Sequence, residues 1–105
     1  MDQNTFSLTV LNNKCEKVLD VKESSVSGEV FARPLVVGNH VLYGIDNTVK
    51  SIDLGTLKTS VLCQISKNYS IVDFTYKDGY IYVISTRKDS NKYYFSKIKA
   101  NIENE

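Results

Sequence analysis

The stretch RPLVVGNHVLYGIDNTVKSID, Arg33 to Asp53, decides the fold: three short apolar runs are separated by Gly38-Asn39 and Asp46-Asn47. Two-residue connections of this composition tolerate the positive φ angles of tight hairpin turns, so the stretch reads as an antiparallel meander. Asp78-Gly79 repeats the signal further on, between the runs that end at Lys77 and begin at Tyr80. Working outward, strands are expected over Thr5 to Leu11, Cys15 to Val21, Val30 to Val37, His40 to Ile45, Thr48 to Leu54, Thr59 to Ile65, Ile71 to Lys77, Tyr80 to Thr86 and Lys92 to Ala100. Pro34 lacks an amide donor, which puts a bend or an edge at that point. The reading is all-β: an antiparallel meander, with a small barrel or sandwich as the alternative.

The chain has 105 residues, room for one domain with a modest core. Within it, residues 1–22 read as an N-terminal hairpin, 28–65 as a blade-like unit and 70–100 as a second one. Lys22 to Gly28, with three serines, reads as the linker. The 13 basic and 12 acidic side chains nearly cancel, which removes any global attraction to nucleic acid or anionic membrane. No apolar run approaches the roughly 20 residues of a membrane-spanning helix. Met-Asp-Gln-Asn-Thr lacks the basic and apolar regions of a secretory signal, so an intracellular, soluble protein is expected.

Folded against itself, the sequence repeats. Pro34-Leu-Val-Val-Gly-Asn-His-Val-Leu-Tyr-Gly-Ile aligns with Val72-Asp-Phe-Thr-Tyr-Lys-Asp-Gly-Tyr-Ile-Tyr-Val-Ile. Each copy is a strand, a two-residue turn and a second strand carrying Tyr, and the offset of about 40 residues is that of a four-stranded propeller blade. Pro34 to Cys63 thus resembles a blade of the pyrroloquinoline-quinone-type, kelch-like or WD-type β-propellers. With no Trp and no Gly-Gly pair in the chain, the likeness rests on hydrophobic pattern and turn chemistry. It implies two whole or partial blades and the end of another, whereas a ring needs four or more. A fragment, a self-completing subunit or an open sheet capped by a partner would each carry an interface.

The chemistry-bearing residues are sparse. Cys15 and Cys63 are the only cysteines, without a second Cys or His at metal-ligand spacing, so no metal is expected and both read as small apolar residues. His40 is the sole histidine and lacks a nucleophile or orienting acid nearby in sequence. Asp46 and Asp78 are explained by turns. The glycines form no phosphate-binding loop, so no nucleotide or other cofactor is expected. Asn68-Tyr69-Ser70 matches the glycosylation pattern and, without a secretory signal, reads as chance.

The aromatic concentration near the C-terminus is the candidate binding site: Tyr80 and Tyr82 on one strand, Tyr93, Tyr94 and Phe95 on the next, with Arg87, Lys88 and Lys92 beside them and Lys97 and Lys99 further along. Tyr80 and Tyr82 share one face, as do Tyr93 and Phe95. Three readings compete. Ile81, Val83 and Ile84 make the strand apolar on both faces, which favours tyrosines packed in a core; an exposed aromatic patch would bind protein; aromatic faces with cations also hold single-stranded nucleic acid. The expected function is a non-enzymatic protein–protein interaction module. It would bind another protein or a copy of itself through the aromatic patch or through the edge of strand 92–99. A nucleic-acid- or glycan-binding barrel is the alternative.

Overall fold

Local turn chemistry sets the hairpins. In the computed structural model, which describes residues 5–24, 31–87, 90–100 and 102, the strands are β1 (Thr5–Leu11), β2 (Lys17–Ser24), β3 (Phe31–Val37), β4 (His40–Ile45), β5 (Thr48–Asp53), β6 (Thr59–Gln64), β7 (Tyr69–Lys77), β8 (Tyr80–Arg87) and β9 (Tyr93–Lys99). Asp78 and Gly79 both take positive φ, 53° and 84°, the demand of the tight turn whose twist matches its flanking strands. Gly38 and Asp46, each the first residue of its turn, sit at 56° and 53°. The first hairpin is wider than Asn12-Asn13: the Asn12 carboxamide oxygen accepts the amides of Lys14 and Glu16 at 2.8 and 3.0 Å. β2 therefore starts later than expected, and it runs on through Lys22 to Ser24, residues the sequence suggested for a linker. The rest of that serine-rich segment lies outside the described residues.

The strands form three separate antiparallel sheets in sequence order, β1-β2, β3-β4-β5-β6 and β7-β8-β9. Among the described residues there is no helix, and the sheets close into neither a barrel nor a ring. They stack face to face with the four-stranded sheet in the middle. One of its faces carries Tyr43, Ile45 and Ile52, all buried against Leu8, Leu19 and Val21 of the first sheet. The other carries Ala32, Leu42 and Val49, which join Ile71, Phe74, Ile81 and Val83 of the third sheet in the larger core. This is why β4 reads as continuously apolar: it is sandwiched.

Two irregularities serve that packing. The register of β3 against β4 shifts between Ala32 and Leu35, so the chain bulges at Arg33-Pro34, where proline cannot donate to the ladder. A second shift, between Ile71 and Asp73, turns both Ile71 and Phe74 toward the core although they are three positions apart. Gly44 occupies the tightest point. A Cβ there would stand 2.8 Å from the Ala32 Cβ and within 3.6 Å of Phe74 on the next sheet. Gly44→Ala is expected to press on Ala32 of the neighbouring strand β3 and cost about 1 to 3 kcal/mol, measurable as a lower denaturant midpoint.

A polar cluster joins the first and second sheets. The Glu23 carboxylate accepts hydrogen bonds from the Tyr43 hydroxyl and the Lys50 ammonium, both at 2.8 Å. Burial alone would raise the Glu23 pKa, but the bonds from Lys50 and Tyr43 and the Lys50 charge outweigh it and hold the carboxyl below its usual 4.5. A carboxyl whose folded pKa is depressed stabilises the protein above the unfolded value and loses that contribution as pH falls through the folded one. Acid destabilisation below about pH 4.5 should therefore be shallower in Glu23→Gln. That variant should also lose about 1 to 3 kcal/mol at neutral pH, where Lys50 is left half-buried without its carboxylate. Urea unfolding of both proteins between pH 3 and 7 checks this.

Candidate functional site

The third sheet sorts the aromatic residues by strict alternation. On β8, Ile81, Val83 and Ser85 are buried toward the core, whereas Tyr80 and Tyr82 are half-buried on the opposite face and Ile84 is exposed there. The expectation that this strand is apolar on both faces because both are covered does not hold: only the odd-numbered face is core, and Tyr80 and Tyr82 belong to neither buried cluster. Ile84 misled the reading, since an aliphatic residue next to Val83 suggests burial on both sides.

Register then assembles a patch. Tyr80 lies opposite Lys99, Tyr82 opposite Lys97, Ile84 opposite Phe95 and Thr86 opposite Tyr93. On the other side β7 contributes Lys77, Thr75 and Asp73 to the first three rows. Tyr93 is 72% exposed, Phe95 68% and Ile84 39%. The Tyr82 and Phe95 rings are 6.1 Å apart, tilted by 32°. The Lys97 ammonium sits 4.4 Å from the centre of the Tyr80 ring and 5.9 Å from that of Tyr82, held by the negative face of each π system.

Of the residues singled out from sequence, Tyr80, Tyr82, Tyr93 and Phe95 therefore meet on one face. Tyr94 and Arg87 do not. Tyr94 points to the other side of β9 and meets Tyr69 edge-on at 5.1 Å, while the Arg87 guanidinium lies 5.7 Å over that Tyr69 ring. Tyr69 and Tyr94 border a groove of about 310 Å³ that also involves Ile65, Ser85, Phe95 and Ser96. Lys92 is exposed just before β9, and Lys88 lies outside the described residues. Tyr69 and Ile84 were missed; the Tyr69↔Arg87 pairing that brings the first into place depends on the bulge in β7.

The outward face of the third sheet has a counterpart within the chain. Counting from the residue after each hairpin turn, His40 matches Tyr80, Leu42 matches Tyr82 and Gly44 matches Ile84; by cross-strand register Val49 matches Phe95. Leu42 and Val49 are fully buried beneath the third sheet. Residues 41, 43 and 45 of β4 face the preceding sheet, and so do 81, 83 and 85 of β8. Each sheet thus turns the same side backward and the same side forward. The forward side of the second sheet is covered, and that of the third carries Phe95 and Tyr93 in the open.

The remaining described polar residues are spread over turns and strand ends. Pairing of β4 with β5 sets His40 opposite Asp53, an acid that sequence proximity did not reveal. The His40 Nε2 to Asp53 Oδ2 separation of 3.8 Å is too long for a hydrogen bond. Asp53 Oδ1 accepts the Gly55 and Thr56 amides, which hold its carboxyl below the usual carboxylate range and commit it to the turn. Asp46 and Asp78 occupy turns, and Asp73 accepts its neighbour's amide from Phe74. Cys15 and Cys63 are free thiols, and burial raises the pKa of Cys63. Among the described residues no group of three or more His, Cys, Asp or Glu side chains is placed to hold a metal ion, and no helix is long and apolar enough to cross a membrane. No protein-family model, curated protein or solved structure matches the chain.

Proposed function

We propose that this chain is a non-enzymatic protein-interaction module, a stack of propeller-like blades whose forward face, Tyr82, Ile84, Tyr93 and Phe95 flanked by Tyr80 and Lys97, docks on a protein surface. The observation that carries the reading is the equivalence of this face with Leu42, Gly44 and Val49, which the chain covers with its own next sheet. Large aromatic side chains left open in a position the fold elsewhere buries supply contact area at a small cost in conformational entropy. The arrangement suits a subunit of a larger, intracellular assembly.

The β9 edge offers a second route. β5, its counterpart, carries β6 on its outer side, whereas among the described residues β9 is the outermost strand of the third sheet. A partner could therefore add a strand there by main-chain hydrogen bonds. Side-chain replacement separates the two routes. Phe95→Lys should abolish capture of a stoichiometric protein partner from the native source while leaving the melting temperature within a few degrees of wild type, because an exposed residue contributes little to stability. Capture unaffected by Phe95→Lys would overturn docking on this face. Binding of single-stranded oligonucleotide or glycan at physiological salt, with no protein captured, would overturn the module reading itself.

A further inference from the structure

Resting on that reading, we infer that the occupant of the aromatic face is the same face of a second copy of this chain, related by a two-fold axis perpendicular to the strands. The order of side chains along β9 points there. Its outward row runs Tyr93, Phe95, Lys97, Lys99, rings at one end and cations at the other. A two-fold axis lying between the facing sheets, level with the gap between Phe95 and Lys97, reverses this row on itself. Lys97 then meets Phe95 of the second copy, Lys99 meets its Tyr93, and Tyr82 meets its Ile84. Each contact occurs twice, as an isologous interface requires. The chain already uses the same chemistry internally, where Lys97 caps Tyr80 at 4.4 Å.

Other pairings fit less well. An axis parallel to the strands lays β7 over β9 of the second copy and sets Lys77 against Lys99, cation on cation. Head-to-tail stacking would cover the rings with the outer side of the first sheet. That side presents Ser7, Thr9, Asp20 and Lys22, with Thr9 already donating to Asp20 at 3.0 Å, and its exposed apolar residues, Leu11 and Val18, lie only at the hairpin end. Three strands about 4.8 Å apart and four rows about 6.8 Å apart give a patch of ~390 Å² per copy. That is under half of a standard interface, so the association is expected to be weak and reversible.

Sedimentation equilibrium of the full chain from about 10 μM to about 1 mM tests the inference, with thermal melts confirming that each variant is folded. Wild type should associate to a dimer. Phe95→Lys, which opposes Lys97 of the second copy, should weaken association by about tenfold or more. Phe95→Glu should weaken it distinctly less, because the new carboxylate meets that same Lys97. A strict monomer over the whole range overturns the second-copy inference and leaves docking on another protein to the capture experiment. A dimer indifferent to Phe95→Lys, or one weakened equally by both substitutions, overturns the face or its two-fold register.

Discussion

Tyr43→Ala is expected to lower the stability of this protein by about 3 to 5 kcal/mol, the usual cost of deleting a fully buried aromatic side chain. Tyr43 is 0% exposed and packs with Ile45 and Ile52 beneath Leu8, Leu19 and Val21, so its ring is the centre of the contact between the first and second sheets. Its removal also deprives Glu23 of a 2.8 Å hydrogen bond and leaves that carboxylate to Lys50 alone. Tyr43→Phe keeps the ring and loses only the hydroxyl, and should cost about 1 kcal/mol. Burial, followed by the Glu23 bond, raises the phenol pKa well above its usual 10.0. The neutral phenol therefore stabilises the fold below about pH 10, and that contribution fades as pH rises through the folded value. Chemical denaturation of the three proteins at pH 7, with wild type and Tyr43→Phe repeated at pH 10 to 11, checks both the magnitude and the sign.

Two neighbours on β8 should behave oppositely. Ile81 is fully buried in the larger core, and Ile81→Ala should cost about 2 to 5 kcal/mol through lost burial and the cavity left between the second and third sheets. Tyr82, the next residue, faces outward and is only half-buried. Tyr82→Ala loses its contacts with Phe95 and Lys97 and should cost about 1 kcal/mol. Equal losses at the two positions, measured by urea unfolding, would mean that the tyrosine face is covered in solution. In that event the difference should reappear on dilution if the cover is a second copy.

That contrast marks what could be read from the residues. Strand class and most boundaries were legible because they depend on local physics: positive φ at Asp78-Gly79, the missing amide of Pro34 and alternation along Tyr80 to Thr86 act over a few residues. The pairing of Tyr80 and Tyr82 on one face, and of Tyr93 and Phe95 on one face, follows from the period of a strand and needs no tertiary information.

What the sequence could not determine is which face of each strand is covered. Ile84 and Val83 are both aliphatic, yet one is 39% exposed and the other 0%, because burial depends on the presence of another sheet and not on the strand itself. Only the stacking of three sheets separates Leu42, covered by the third sheet, from Tyr82, its counterpart, which none of the described sheets covers. The same holds for His40 and Asp53, brought together by register across a hairpin, and for Arg87 and Tyr69, aligned by a bulge. The chain by itself determined that it folds as an antiparallel meander with aromatic and cationic residues alternating into view. The tertiary structure decided that these residues form an outward face equivalent to one it buries, because covering a face is a property of neighbouring layers.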